Sequence, residues 1–360
     1  VLSARALVER GGVPIEVFRR GTCAELVASA GLTLRTTATP LFPGDACRAG
    51  TTPLAPMALL PGSYLALLCL PGFESLRVPF VLARDLPLEL AVMLLPAGTS
   101  PPGFVRIPAG PAPIGGDPQA FTSLARAEPE LADHWIQERE VGVREYQEFV
   151  DDFATLEEID AAPELVRVPR NLASGTGEPL WKRLDDGTFE PPAHTLAQPV
   201  HAISWHDAAA YARWLTARAQ ERGEPFEFAL PTEIEWEHAA RGADRRAYPF
   251  GNTFVPRWVK GAFAREQMLL EPYQSFPIDE APCGAFDLGG SLWEWCADDW
   301  DRQGAKTLRG GAWNFTFPAF FRAASRASQE PTAADGIYGL RLVARMTSSL
   351  TVIQATSSLQ

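Results

Sequence analysis

Thiols and imidazoles are the side chains best suited to hold a metal or attack a substrate, and this chain carries five of each. Cys23, Cys47, Cys69, Cys283 and Cys296 are odd in number, and no two have C-x-x-C spacing. That pattern builds neither a zinc ribbon nor a disulfide framework, so free, mostly buried thiols in a reducing compartment are expected. His201 and His206 lie five apart, with Ser204 and Trp205 between them, where a helix should start. They read as ordinary surface or core imidazoles rather than metal ligands. His194 and His238 are unpaired in sequence, and no histidine precedes His134. Glu233, Glu235 and Glu237 do not share one helix face. They are expected to cap and solvate a helix, not to form a general acid–base pair. No glycine loop suited to cradle phosphate and no G-x-S-x-G turn occurs.

The elements that would position these groups announce themselves by capping residues. Ser204 and Asp207 resemble a capping box, and Ala208, Tyr211, Ala212, Leu215 and Ala219 then fall on one helical face. Thr232 and Glu235 form a second box, with Gly242 placed to end that helix. VREYQEFVDDF (143–153) predicts a third. Residues 1–97 hold short apolar runs cut by Pro and Gly, which predict a small all-β, sandwich-like domain. Residues 98–103 have linker composition, 104–346 form a second domain, and 347–360 are a polar tail.

Bulk properties narrow the classes. A hydrophobic fraction of 46% with 21% charged residues is that of a globular protein. The net charge of −12 argues against nucleic acid or anionic membrane as a partner. The best apolar run, 57–70, is broken by Pro61 and Gly62, so membrane insertion is not expected. Lysine occurs only at 182, 260 and 306 and asparagine only at 171, 252 and 314, which fits a bacterial, GC-rich and thermophilic source. The free thiols and the absence of a leader in these residues point to the cytoplasm. The chain begins at Val1 and reads equally as a fragment, which leaves surface display open.

GTTPLAPMALLPGSYLALLCLPGF (50–73) resembles the PEGA family of small β-sandwich repeats. In the second domain the ordered landmarks are FVRIPAGPAPIGG, EREVGVREYQEFV, PVHAISWHDAAAYARWL, FALPTEIEWEHAARG, YPFGN, GAFDLGGSLWEWCADDW, LRGGAW, RAASR and GLRLVAR. Over about 103–346 they resemble the formylglycine-generating enzyme (sulfatase-modifying factor) family. The resemblance implies an α+β, elaborated C-type lectin fold. Its members include oxidases, iron-dependent synthases, modules fused to serine/threonine kinases and non-catalytic binding proteins, so the fold does not settle function. The oxidase branch uses paired cysteines a few residues after the GG-S/A-W turn to bind copper, but 314–321 holds no thiol. The iron-dependent branch needs a three-histidine set that is missing here. No catalytic residue and no catalytic cofactor is therefore expected. The family's G-N-x-W-E-W motif implies a structural Ca²⁺. Glu294 is retained and Ser291 stands at the Asn position, so Glu294 is either an ion ligand or a buried hydrogen-bond acceptor.

On the same resemblance, Trp313, Arg322, Arg326, Gly339 and Arg341 match framework positions. Trp313 reads as core and the arginines as anchors for loops. Between them lie Asn314, Thr316, Phe317, Phe320, Ser325, Ser328, Thr332, Asp335 and Tyr338, a mixture of aromatics and small polar groups that resembles a paratope. The alternative, phenylalanines filling core and the rest loop, stays open. The variable proteins of diversity-generating retroelements diversify a segment in this place. The expectation is a non-catalytic recognition protein, with the variable protein of such a retroelement as its finer form, that binds an unknown protein or other ligand through 313–338. The rivals are a catalytically active family member and a regulatory module of a serine/threonine kinase.

Overall fold

The computed structural model describes residues 2–7, 14–20, 46–51, 61–84, 86, 88–154, 167–172 and 177–347. The intervening stretches, Cys23 and the tail after Thr347, for which the sequence also raises expectations, lie outside the described residues.

The apolar runs of the first hundred residues become β1 (Leu2–Leu7), β2 (Pro14–Arg20), β3 (Ala46–Thr51), β4 (Gly62–Leu68), β5 (Leu76–Leu82) and β6 (Leu88–Met93). β3-β2-β4-β5 form an antiparallel sheet, and β1 pairs in parallel with β6. Tyr64 and Phe80 are cross-strand partners whose rings stack at 5.3 Å. With Leu68, Leu76 and Leu82 they form a small core of their own, as half-buried strands with alternating side chains do. Segment 98–103 is fastened rather than loose. Ser100 donates its backbone N–H to Glu74 at 2.6 Å, and its hydroxyl accepts from the Trp135 indole at 2.7 Å.

The second unit is mixed. Its strands are β7 (Phe104–Ile107), β8 (Gly110–Pro111), β9 (Glu130–Leu131), β10 (His134–Gln137), β11 (Lys182–Arg183), β12 (Phe189–Glu190), β13 (Phe226–Ala229), β14 (Trp293–Asp299), β15 (Lys306–Gly310), β16 (Arg326–Gln329), β17 (Tyr338–Gly339) and β18 (Val343–Met346). The helices are α1 (Val143–Ala154), α2 (Trp205–Glu221) and α3 (Glu233–Arg241). Both capping boxes form as the sequence predicts, Ser204 with Asp207 and Thr232 with Glu235. Gly242 ends α3 at φ 61°, and a Cβ there would press within 2.7 Å of Pro282.

Two four-stranded sheets carry the unit, in the orders β13-β18-β10-β7 and β16-β15-β14-β17. Trp135, Trp236 and Trp295 are almost wholly buried between the sheets and helices. β14 and β15 hold the landmarks WEWCADD and KTLRG side by side, with Glu294 opposite Arg309. β15 then pairs with β16, so the segment between them returns to the sheet from which it left.

Candidate functional site

The frame is made of arginine–carboxylate pairs. Arg309 on β15 is fully buried and reaches Glu237 at 2.9 Å and Glu233 at 3.1 Å. Arg241 takes the other Glu237 oxygen at 2.6 Å, Arg326 donates to Glu233 at 2.8 Å, and Arg345 donates to Glu235 at 2.6 Å. The expectation that these three glutamates solvate a helix is corrected. All three are buried, because arginines from four places in the chain neutralise them. Their carboxylate oxygens are taken up by the frame. Arg322 grips Asp117 with two bonds of 2.8 and 3.0 Å. Burial pushes the Asp117 carboxyl up, but Arg322's hydrogen bonds and charge prevail and hold it below the usual carboxylate range.

Arg341 does the same for Glu294. It donates to both carboxylate oxygens at 2.7 and 2.8 Å, and the Trp236 indole adds a bond of 2.7 Å. Glu294 is thus a buried hydrogen-bond acceptor, one of its two expected roles. Ser291 sits at φ 88°, and its carbonyl accepts from the Trp313 backbone N–H at 2.9 Å. With both Glu294 oxygens engaged by Arg341 and Trp236 and Ser291 in place of Asn, the donor set does not fit a calcium ion there. Among the described residues, no group of three His, Cys, Asp or Glu side chains is placed to hold a metal.

Between these anchors, 313–338 is layered rather than uniformly displayed. Thr316, Phe317 and Thr332 are exposed, Phe317 to 67%. Asn314, Phe320, Ser328 and Asp335 are half-buried. Two expected surface residues belong to the interior. The Ser325 hydroxyl is buried, donating to the Ala319 carbonyl at 2.5 Å and accepting from the Phe121 N–H at 3.0 Å. Tyr338 packs its ring against Trp295 at 5.3 Å, and its hydroxyl accepts from Gln329 at 3.1 Å. Trp313, read as core, is half-buried instead. Its indole N–H is tied to the Gly336 carbonyl at 3.0 Å, which leaves the ring lining a cavity. Arg309 holds the strand just before the segment, and Arg322 and Arg326 pin its centre, where Phe321 and 323–325 are buried, so the chain turns outward on either side, at 316–318 and at 330 and 332.

The window where the family's copper-binding thiols would stand holds a pair of rings. Phe315 and Phe320 stack at 4.7 Å with an interplanar angle of 21°, and both meet Trp293 edge-on. Phe320 also touches Phe121 at 4.6 Å, and Phe121 is 55% exposed. Phe121 joins Phe317 and Phe320 in one aromatic patch, and sequence reading missed it. It comes from a loop two hundred residues away, and a lone Phe in GGDPQAFTS carries no local signal. Cys283 and Cys296, the nearest thiols in sequence, are buried, and burial pushes both upward, away from thiolate.

Similar proteins are known by sequence and by structure. The chain is 30% identical over 208 residues to the formylglycine-generating enzyme of Streptomyces coelicolor, covering 47% of this chain and 62% of that protein. It is 33% identical over 197 residues to the inactive C-alpha-formylglycine-generating enzyme 2 of Bos taurus, covering 48% of this chain and 62% of that one. It therefore spans about three fifths of the length of each. The variable protein 1 of Treponema denticola is similar in structure at a TM-score of 0.48 and 18% identity, covering 67% of this chain and 94% of that one. Residues 93–346, well over half of the chain, match the sulfatase-modifying factor enzyme 1-like domain, and the protein belongs to that family.

Proposed function

We propose that this protein is a non-catalytic member of its family that recognises a protein or other ligand through the exposed residues of 313–338. The observation that carries the reading is the aromatic patch of Phe121, Phe317 and Phe320 on a frame of buried ion pairs. Two phenylalanines that are more than half exposed and share one ring neighbour are a binding feature, since large apolar side chains rarely gather on a surface without a partner. Rigid rings flanked by Thr316, Asn314 and Thr332 give contact area at low entropic cost, together with adaptable hydrogen bonds. The stacked pair Phe315–Phe320 supplies no donor for copper, and the buried thiols supply no nucleophile. Diversification of the exposed positions, as in retroelement variable proteins, would change ligand without touching the frame.

The test is a Cu(I) competition titration against a chromophoric chelator, with mass spectrometry of a cysteine-containing sulfatase peptide. No stoichiometric copper binding and no conversion to formylglycine is expected. Oxygen-dependent conversion of the peptide would overturn the reading.

A further inference from the structure

Beside the segment lies a cavity of about 380 Å³, bounded by the start of α1, the 180–181 stretch, the 192–201 loop and Trp313. Its walls are mostly apolar, Trp181, Trp313, Leu180 and Leu270 among them. Among the described residues no Asp, Glu, Lys or Arg lines it, although the chain carries a net charge of −12. The walls are fixed before any ligand arrives. Gln198 donates its side-chain amide to the Leu270 carbonyl at 2.8 Å, and its own carbonyl accepts from Val143 at 3.0 Å. Leu180 donates to Pro169 at 2.8 Å, and the Trp313 indole is held by Gly336.

One imidazole in this wall makes no hydrogen bond. His201 lines the cavity and is half-buried; its Nδ1 is closed to solvent, so Nε2 is the nitrogen open to a ligand. Burial pulls the imidazole down to about 4, so the ring is neutral at physiological pH, with one nitrogen a donor and the other an acceptor. The next residue, Ala202, is fully buried at φ 59°, a conformation that costs a non-glycine residue energy and that imposes the direction of the chain at His201.

We propose that this cavity binds an uncharged aromatic ring carrying one hydrogen-bonding group, of the size of an indole, with His201 as its polar partner. An apolar cavity of about 150 Å³ accepts benzene, and ligand pockets start near about 300 Å³, so this one suits a bicyclic ring. The faces of Trp181 and Trp313 offer offset or edge contacts to such a ring. A charged ligand would bury its charge against a wall with no counter-ion. A pure hydrocarbon would leave the imidazole without a partner. The same chemistry occurs in a free indole and in a tryptophan side chain of a partner. The cavity shares only Trp313 with 313–338, so the proposal does not depend on that segment's role.

Calorimetric titration of the whole chain tests it, with indole, its carbon isostere indene, the anion indole-3-acetate, and Gly-Trp-Gly amide as probes. Indole should bind at least tenfold more tightly than indene or indole-3-acetate. Leu180→Trp, at a mouth position 41% exposed, should cut indole binding at least tenfold while leaving the melting curve unchanged. His201→Phe should remove the preference for indole over indene. Should His201→Phe fail to fold, the probe comparison in the native chain with Leu180→Trp still decides. Phe317→Ser should leave indole binding unaltered, which separates this site from the recognition surface. Tighter binding of Gly-Trp-Gly amide than of indole would assign the cavity to a partner's side chain, and the reverse to a free compound. Absence of indole binding, no preference over indene, or indifference to Leu180→Trp would overturn the proposal.

Discussion

At the scale of single residues, the molecule hides titratable groups that its frame does not use. His238 on α3 is largely buried, its Nδ1 has no partner, and burial together with the neighbouring His134 pulls it from 6.5 to about 4. The folded state therefore stays neutral there while the unfolded chain takes up a proton below 6.5, so stability is present above 6.5 and is lost as pH falls toward 4. Linkage puts the loss at about 2 kcal/mol between pH 7.5 and pH 5. Melts of His238→Phe and of the native chain across that range should show a shallower decline in the variant. Parallel curves would contradict the assignment. A second prediction concerns the Glu294–Arg341 pair, both members fully buried. Arg341→Met strips the counter-ion from a buried carboxylate and should cost about 3–5 kcal/mol by chemical denaturation. A loss below about 1 kcal/mol would mean that Glu294 finds other support.

At the scale of elements, the segment from Trp313 to Tyr338 behaves as a strap pinned at its centre by Arg322 and Arg326, with exposed residues on either side. Changes at the exposed residues should be cheap: Thr316→Ala and Thr332→Ala lie on exposed positions and should shift stability by about 0.5 kcal/mol or less. Changes at the seams should not be. Phe321 is fully buried under Gly261 and Gly311, so Phe321→Ala should cost about 3–5 kcal/mol. Ser325→Tyr would force a ring into a site with no room and should unfold the domain. Trp313→Ala, with a half-buried ring, should fall between these extremes. Thermal melts across the panel rank them, and equal losses at all five positions would mean the strap has no open stretch.

At the scale of the whole molecule, a second set of groups opposes the histidines. Glu140, Asp279 and Asp287 are buried near Arg341 and Glu294. Burial, then the neighbouring carboxylates, raises Glu140 and Asp279 well above the ordinary range, and burial raises Asp287 to about 6. For such groups the folded state holds the proton more tightly than the unfolded chain. Their contribution is complete below about 4 and is lost as pH rises through the folded values. Glu140→Gln keeps the shape and removes one titration, so it should stabilise the chain at pH 8 relative to the native protein, with the gain shrinking toward pH 5. A gain independent of pH would show that Glu140 is not protonated on folding.

The sequence by itself determined the helices, because capping is local: Ser204 with Asp207 and Thr232 with Glu235 satisfy backbone donors three residues away. It determined the family through ordered motifs, and it determined that no thiol stands at 314–321. The arginine anchors were legible as residue types, since a buried guanidinium needs a carboxylate, but their partners were not: Asp117 lies 205 residues from Arg322. Only the tertiary structure decided which of the nine proposed surface residues face outward, sending Ser325 and Tyr338 inside and drawing Trp313 partly out. It alone brought Phe121 to Phe320 and left His201 without a partner beside two tryptophans. The division follows from range: capping and motif order act over a few residues along the chain, whereas exposure and ion pairing depend on elements that meet only when the sheets close over the core.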